Sequence, residues 1–324
     1  MLDIIVPHYT EPWNVGKKFF DMLDLQRDVD FSKIRVLLVN DGEENALPDT
    51  CFSERHYAVH QINICHAGVS TARNAGLGAA KAEWVMFCDF DDMFAHVYAL
   101  RDIMQLLPAP EFDMLWGELL IEDGRKEGPL HVIRHGKINM VFCHGKLYRR
   151  QFLLDNGMRF NPNLPFNEDS EFNAILSAKI DFKRTGKINA QMPPYIWCWR
   201  KDSTTNRPDK QDMAATCHYT RNKNVCEAYK ANLPYNRYCA MVARTVWDAY
   251  YTLNAPILSP ALVEMQQDFS QWYKVHEKAF LETDAADIPQ IKAIASAECK
   301  RDDNRDNVSI EQWLFDIKNM RGEE

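Results

Sequence analysis

Three groups of carboxylates could do chemistry if the fold gathers them: Asp41, the run Asp89-Phe90-Asp91-Asp92, and Glu168-Asp169. A lone Asp after a strand is ordinarily a turn or helix cap, and that reading suffices for Asp41 taken alone. The run at Asp89, Asp91 and Asp92 is different. Like charges at short range disfavour one another's ionised forms, and a cation relieves them best. Hard divalent ions take oxygen ligands, and Mg2+ commonly uses one or two carboxylates before completing its shell with substrate phosphates. A diphosphate held through such an ion is the economical reading. Glu168-Asp169-Ser170-Glu171 reads two ways, as an acidic first helical turn favoured by the helix dipole and as the source of a general base.

The surrounding pattern supplies elements to position these groups. Leu2 to Val6 is an apolar run closed by Pro7, a buried strand, and Val15 to Leu25 has helical spacing. Ile34 to Val39 is a second strand that Asn40-Asp41-Gly42 ends with turn chemistry, and Ala58 to Ile64 alternates as a third. Ser70 to Ala82 is an Ala- and Gly-rich helix suited to close packing on a sheet. Trp84 to Cys88 is a fourth strand that runs directly into the acidic run. Strands and helices alternating at this pace imply right-handed βαβ units and a mostly parallel sheet. Such sheets bind ligands beyond the carboxyl ends of their strands, where Asp41 and the run at 89–92 fall.

From Asp113 the rhythm changes. Met114 to Ile121 and Leu130 to Arg134 read as an antiparallel pair around Asp123-Gly124. Helices follow near Leu147 to Asn156 and at Asp169 to Ala178, then a strand at Tyr195 to Trp199. Beyond residue 208 the strand signals stop, and Gln211–Ala231, Tyr235–Leu253, Pro260–Phe280 and Ser309–Met320 read as amphipathic helices. Residues 300–307 read as a charged, solvated linker. The expected fold is α/β, a Rossmann-like, mostly parallel central sheet with flanking helices over residues 1–207, followed by a mainly helical accessory domain over 208–324.

Composition narrows the partners. The net charge of -8, from 46 acidic against 38 Lys and Arg, gives no footprint for general nucleic-acid binding. The opening Met1-Leu2-Asp3-Ile4-Ile5-Val6-Pro7 has no positive n-region and no long apolar core, so it does not read as a signal peptide. No apolar run reaches the roughly 18 residues a membrane span needs. Nine cysteines, scattered and without a C-x-x-C pair, fit a reducing cytosol better than a disulfide framework or a zinc site. The expectation is a cytoplasmic chain, with association at the inner face of the membrane left open.

Six segments in order resemble a family 2 glycosyltransferase of the GT-A fold. They are Ile4-Ile5-Val6-Pro7-His8-Tyr9, Val36 to Gly42, Gly68-Val69-Ser70-Thr71-Ala72-Arg73-Asn74-Ala75-Gly76, Phe87 to Asp92, His144 to Arg150 with Arg159-Phe160, and Asn167-Glu168-Asp169-Ser170-Glu171-Phe172. The likeness ends near residue 208. It implies an inverting transferase that moves a sugar from a nucleotide-diphosphate donor, UDP being the commonest, to an acceptor hydroxyl, with Mn2+ or Mg2+. By the resemblance, Pro7, Tyr9 and Glu11 border the nucleotide base, Asp41 accepts a hydrogen bond from it, and Arg73 sits near the base or diphosphate. Asp89 contacts the ribose and Asp91 binds the metal, while Asp92 assists or caps. Asp169 is the general base, with Glu168 as fallback. The segment Trp197 to Thr205 resembles a family stretch ending in Arg and then Ser, so Arg200 or Lys201 would neutralise the diphosphate. The acceptor class is a glycan, a lipid-linked saccharide or a polymer, and the helical region is a candidate for homodimer contacts.

Plainer readings stand beside these. Arg73 by itself reads as a surface ion pair, His144 and His218 as structural histidines, and Tyr195, Trp197 and Trp199 as strand packing. The chain departs from the family pattern in the loop Pro7 to Trp13 and at Asn40, where Asp is common. A nucleotidyltransferase would show a Gly-rich loop after the first strand, and His8 to Trp13 has no Gly. A dinucleotide oxidoreductase would show G-x-G-x-x-G after a strand. A degenerate binding module would tend to have lost the D-x-D or the base, and both are kept.

Overall fold

The computed structural model describes residues 1–122, 132–135, 138–188, 192–200, 211–255, 257–299 and 308–320. The chain divides into two compact units, Met1–Asn206 and Arg207–Glu324.

The first unit is built on two sheets. Its strands and helices in order are β1 (Leu2–His8), α1 (Trp13–Asp24), β2 (Ile34–Asp41), β3 (Ala58–Ile64), α2 (Val69–Ala79), β4 (Trp84–Phe87), β5 (Met93–Phe94), α3 (Ala99–Met104), β6 (Met114–Trp116), β7 (Leu119–Glu122), β8 (Val132–His135), β9 (Lys146–Arg149), α4 (Arg150–Asp155), α5 (Glu168–Ser177), β10 (Thr185–Lys187) and β11 (Tyr195–Trp197). The main sheet runs β10-β6-β9-β4-β1-β2-β3, parallel except for β9, which pairs antiparallel with β4 and β6. The smaller sheet runs β5-β11-β7-β8.

Strand alternation divides the apolar runs between two cores. Leu2, Ile4, Val6, Val36, Leu38, Trp84 and Met86 meet Phe19, Phe20 and Leu23 of α1 and Leu100 and Ile103 of α3 on one face. Their neighbours Ile5, Leu37, Val39, Val85 and Phe87 meet Ala72 and Leu77 of α2 and Phe172 and Leu176 of α5 on the other. A strand covered on both faces has no polar side to show, which explains the continuous Val/Ile/Leu runs. Two glycines allow close approaches that set the site. A Cβ on Gly76 would fall 2.4 Å from Ile5 Cγ2, so Gly lets α2 lie tight on β1. A Cβ on Gly16 would fall 2.1 Å from the Phe90 ring, so α1 leaves room for the aromatic residue inside the acidic run.

Two expectations need correction. Met114 to Ile121 is two strands in two sheets, because the chain breaks at Gly117-Glu118 and Gly117 N–H donates to Gly145 O at 2.8 Å. The antiparallel partner of β7 is β8, while the turn at Asp123-Gly124 lies outside the described residues. The helix expected from Leu147 begins at Arg150; Lys146–Arg149 is instead strand β9, with Leu147 and Tyr148 packing into opposite cores.

The second unit is helical: α6 (Gln211–Asn232), α7 (Tyr235–Leu253), α8 (Pro260–Leu281), α9 (Ile288–Glu298) and α10 (Ile310–Asn319). Its core gathers Val242, Val246, Phe269, Tyr273, Trp313 and Ile317. Helix α9 has no counterpart among the elements expected from sequence. Pro289 in its first turn looks like a breaker, yet Pro is well tolerated there because that N–H has no intrahelical partner. Among the described residues no helix is long and apolar enough to cross a membrane. The linker 300–307 lies outside them.

Candidate active site

A cleft of about 560 Å3 opens at the carboxyl ends of β1, β2 and β4, in the size range of small-molecule sites. Pro7, Tyr9, Glu11, Asp41, Arg73, Asp89, Asp91, Asp169 and Arg200 all line it. These residues are separated by up to 193 positions in sequence (7 to 200), so only the fold brings them together.

On one side stands Asp41, at the end of β2. Its carboxylate accepts from the backbone N–H groups of Ala67 and Gly68 at 2.7 and 2.9 Å and from His66 Nδ1 at 3.0 Å. Asp41 thus anchors the loop that leads into α2, and Gly68 can make the turn because its φ of 90° is open to glycine. The His66 ring lies on Tyr9, centroids 4.2 Å apart and 13° from parallel. Tyr9 N–H donates to Glu11 Oε2 at 3.2 Å, and His8 Nε2 lies 2.9 Å from the Glu11 carbonyl oxygen, so the loop after β1 is held by its own side chains. Asn40 answers the departure noted in sequence. Buried in β2, it meets His8, Gln61 and Asn63 at 2.8–3.0 Å, and its amide both donates and accepts there, which an ionised Asp could not.

At the centre is Arg73, 3% exposed. Its guanidinium donates to Asp89 Oδ1 at 2.8 Å and to Glu168 Oε1 at 2.7 Å. The structure therefore places Arg73 as the bridge between the acidic run and the start of α5, and the surface ion pair is set aside. His144 Nε2 contacts the other oxygen of Asp89 at 3.0 Å. Burial alone would raise the Asp89 carboxyl, but Arg73 and His144 overcome it and hold it well below the usual carboxylate range. Burial would likewise lower His144, and the carboxylates of Asp89, Asp92 and Asp169 push it up to about 9.

Asp92 and Asp91 part company. Asp92 is wholly buried and accepts from the Tyr195 hydroxyl and the Cys198 N–H, both at 2.8 Å, so it ties β11 to the acidic run. Asp91 faces the cleft, 3.2 Å from Arg200 Nε. Burial and the neighbouring Asp89 raise its carboxyl above the ordinary range despite Arg200. A crowded carboxylate on a cleft wall that a further positive charge would relieve fits an oxygen-seeking divalent ion, so the residues present suit Mg2+ or Mn2+.

Asp169 stands in the first turn of α5, its Oδ1 accepting from Ser170 N–H at 2.7 Å. Asn167 enters the helix in the left-handed conformation, φ 62°. Glu168 points to Arg73 and is raised by burial against that partner, so although both it and Asp169 line the cleft, Glu168 is committed to the bridge. Behind them Lys146 donates to the Phe142 carbonyl, and burial draws its ammonium down to about 8.

Sequence reasoning missed His66, whose only signal was its place two residues before Gly68, and undervalued His144. His218 meets Asp248 in the helical unit and does not line the cleft. Tyr195 is core, while Trp197 lines the cleft. Lys201 and the stretch Asp202 to Thr205 lie outside the described residues.

The family model for glycosyl transferase family 2 matches residues 3–167. The uncharacterized glycosyltransferase EpsJ of Bacillus subtilis (strain 168) is 26% identical over 236 residues, covering 66% of this chain and 65% of that protein. Glycosyltransferase GlyA of Streptococcus pneumoniae is 33% identical over 99 residues, 30% of this chain and 14% of that protein. The matches thus span less than two thirds of the length of these relatives. Residues 1–349 of S. aureus TarS, solved with UDP-GlcNAc, superpose with a TM-score of 0.64 at 16% identity, covering 92% of this chain and 90% of that one. That likeness shows the fold, a GT-A arrangement followed by a helical region.

Proposed function

The chain belongs to glycosyl transferase family 2, and from that premise we propose that it is an active, inverting transferase moving a sugar from a nucleotide-diphosphate donor to an acceptor hydroxyl. The observation that carries the reading is the convergence of Asp91, Arg200 and Asp169 on one cleft beside the Arg73 bridge. UDP is the donor nucleotide of this reading, the acceptor being a glycan, a lipid-linked saccharide or a polymer.

Each residue's work follows from its place. The stacked Tyr9 and His66 offer an aromatic wall to a nucleobase, with Asp41 fixing the loop that carries His66. Arg73 holds Asp89 and Glu168 in register and keeps Asp89 charged, and in this reading that carboxylate takes a ribose hydroxyl as a further donor. Asp91 would hold Mg2+ or Mn2+, which when bound supplies Lewis-acid stabilisation of charge on the leaving diphosphate. Arg200, now paired with Asp91, adds a second positive charge at that wall. Asp169 takes the proton of the acceptor hydroxyl as that oxygen attacks the anomeric carbon from the face opposite the diphosphate. The anomeric C–O bond to the diphosphate breaks and the configuration inverts.

Asp169→Asn tests the assignment. It should leave UDP affinity within about twofold and lower the transfer rate about a hundredfold or more, the scale of a lost general base. Near-normal turnover would remove Asp169 from that role.

A further inference from the structure

We propose that Cys143, His144 and Asp169 form a site for a thiophilic divalent cation such as Zn2+, and that an ion bound there silences the transferase by occupying the carboxylate of its base. The inhibitory half rests on the function proposed above; the cation site itself does not.

A ring nitrogen of His144, Cys143 Sγ and an Asp169 carboxylate oxygen lie within 4.8 Å of one another. Tetrahedral zinc, with bonds of about 2.0–2.3 Å, spaces its ligands roughly 3.3–3.8 Å apart. The three groups therefore need to close by at most about 1–1.5 Å, within the reach of small side-chain torsions. The state of His144 singles this group out. Its Nε2 is committed to Asp89 at 3.0 Å, while its Nδ1 is buried and has no hydrogen-bond partner among the described residues. The His144 side chain is only 5% exposed, so ordinary solvent does not satisfy that atom. A buried unpaired nitrogen costs about 1–3 kcal/mol and calls for an ion or an ordered water.

A second cluster, Asp89, Asp92 and His144, is also close enough to consider. It is already satisfied, since Arg73 and His144 Nε2 take Asp89, and Tyr195 and Cys198 take Asp92. The unpartnered nitrogen of His144 leaves room for a further partner, and the group containing Cys143 supplies one. Its donor set of one sulfur, one nitrogen and one oxygen suits a borderline-soft ion, unlike the carboxylate wall at Asp91. Because His144 and Asp169 line the cleft, a fourth ligand position would face it. On binding, the Sγ–H bond of Cys143 and the Nδ1–H bond of the protonated His144 ring break, both protons pass to solvent, and the thiolate sulfur and the freed nitrogen lone pair bond the ion. No electron changes hands. Asp169, once a ligand, can no longer accept the acceptor's proton.

The test uses the full chain, stripped with chelator and titrated with Co2+ as the spectroscopic probe. Wild type should develop a thiolate-to-cobalt charge-transfer band, and Cys143→Ser and Cys143→Ala should both lack it. In parallel, with Mg2+ in excess, Zn2+ should inhibit wild-type sugar transfer, and both variants should need at least about tenfold more Zn2+. No band in wild type, the same band in both variants, or Zn2+ inhibition that neither variant weakens would overturn the proposal. A Cys143-dependent band in a chain that transfers no sugar from any donor would count against the proposed function and leave the cation site standing.

Discussion

Replacing Arg73 by Met keeps most of the side-chain volume but removes the guanidinium shared by Asp89, at 2.8 Å, and Glu168, at 2.7 Å. Arg73 is 3% exposed, so water cannot take its place, and breaking a buried pair by removing one partner costs about 3–5 kcal/mol. The pH dependence gives a sharper signature than the loss itself. In wild type the folded Asp89 carboxyl lies below its unfolded value, so its stabilisation is present above about pH 4 and is lost as pH falls through the folded pKa. Without Arg73 burial weighs more heavily, and both carboxyls rise, Glu168 more than Asp89 because His144 still contacts Asp89 at 3.0 Å. The variant's deficit should then be largest near neutrality and shrink as the solution is acidified toward about pH 5, where protonation removes the unpaired charges. The two units need not unfold together, so the assay is native-state hydrogen exchange of the β1, β2 and β4 amides, which reports the sheet unit alone. A deficit under about 1 kcal/mol at both pH values would refute the assignment of Arg73 as the electrostatic keystone of the site.

Two further outcomes follow from the geometry. Asp41→Ala leaves the N–H groups of Ala67 and Gly68 without their acceptor, at about 1–3 kcal/mol each, so exchange at those two amides should accelerate and UDP affinity should fall. Unchanged protection there would mean that the loop is held by other contacts. His144 is raised from an unfolded value near 6.5 to about 9, so its stabilisation is complete below about pH 6.5 and lost as pH rises through about 9. Wild-type stability should therefore fall across that window by at most about 3 kcal/mol more than that of His144→Gln, measured by urea denaturation followed with a probe confined to the sheet unit. Equal slopes for the two proteins would mean that His144 is neutral in the folded state.

Much of the sheet was legible because its strands are covered on both faces, and a run such as Ile34 to Val39 can then be little else. The order of strands and helices up to Asp92 follows from turn chemistry at Pro7, Asn40-Asp41-Gly42 and the acidic run. Legibility fails where tertiary pairing outweighs local pattern. Leu147 and Tyr148 have helical neighbours in sequence, yet they are drawn into β9 because β4 and β6 both offer it an edge. The break at Gly117-Glu118 is set by a contact with Gly145, 28 residues away (117 to 145), which no local window contains. The site divides in the same way. Carboxylates near strand ends announce themselves, so Asp41, Asp89 and Asp91 could be singled out, and Asp169 stood out in an acidic first helical turn. Partnerships are invisible until the fold is known: nothing in sequence says that Arg73 bridges Asp89 and Glu168, that Tyr9 lies on His66, or that Asp92 serves Tyr195 while Asp91 faces the cleft.

The central claim is that this cleft binds a nucleotide diphosphate with the help of an ion held at Asp91. The most direct measurement is calorimetric titration of UDP into the full chain, with and without Mn2+, for wild type and Asp91→Asn. Binding to wild type should be saturable and strengthen at least about tenfold with Mn2+, with no such strengthening in Asp91→Asn. UDP that fails to bind wild type at all, or that binds both proteins with the same dependence on Mn2+, would contradict the claim.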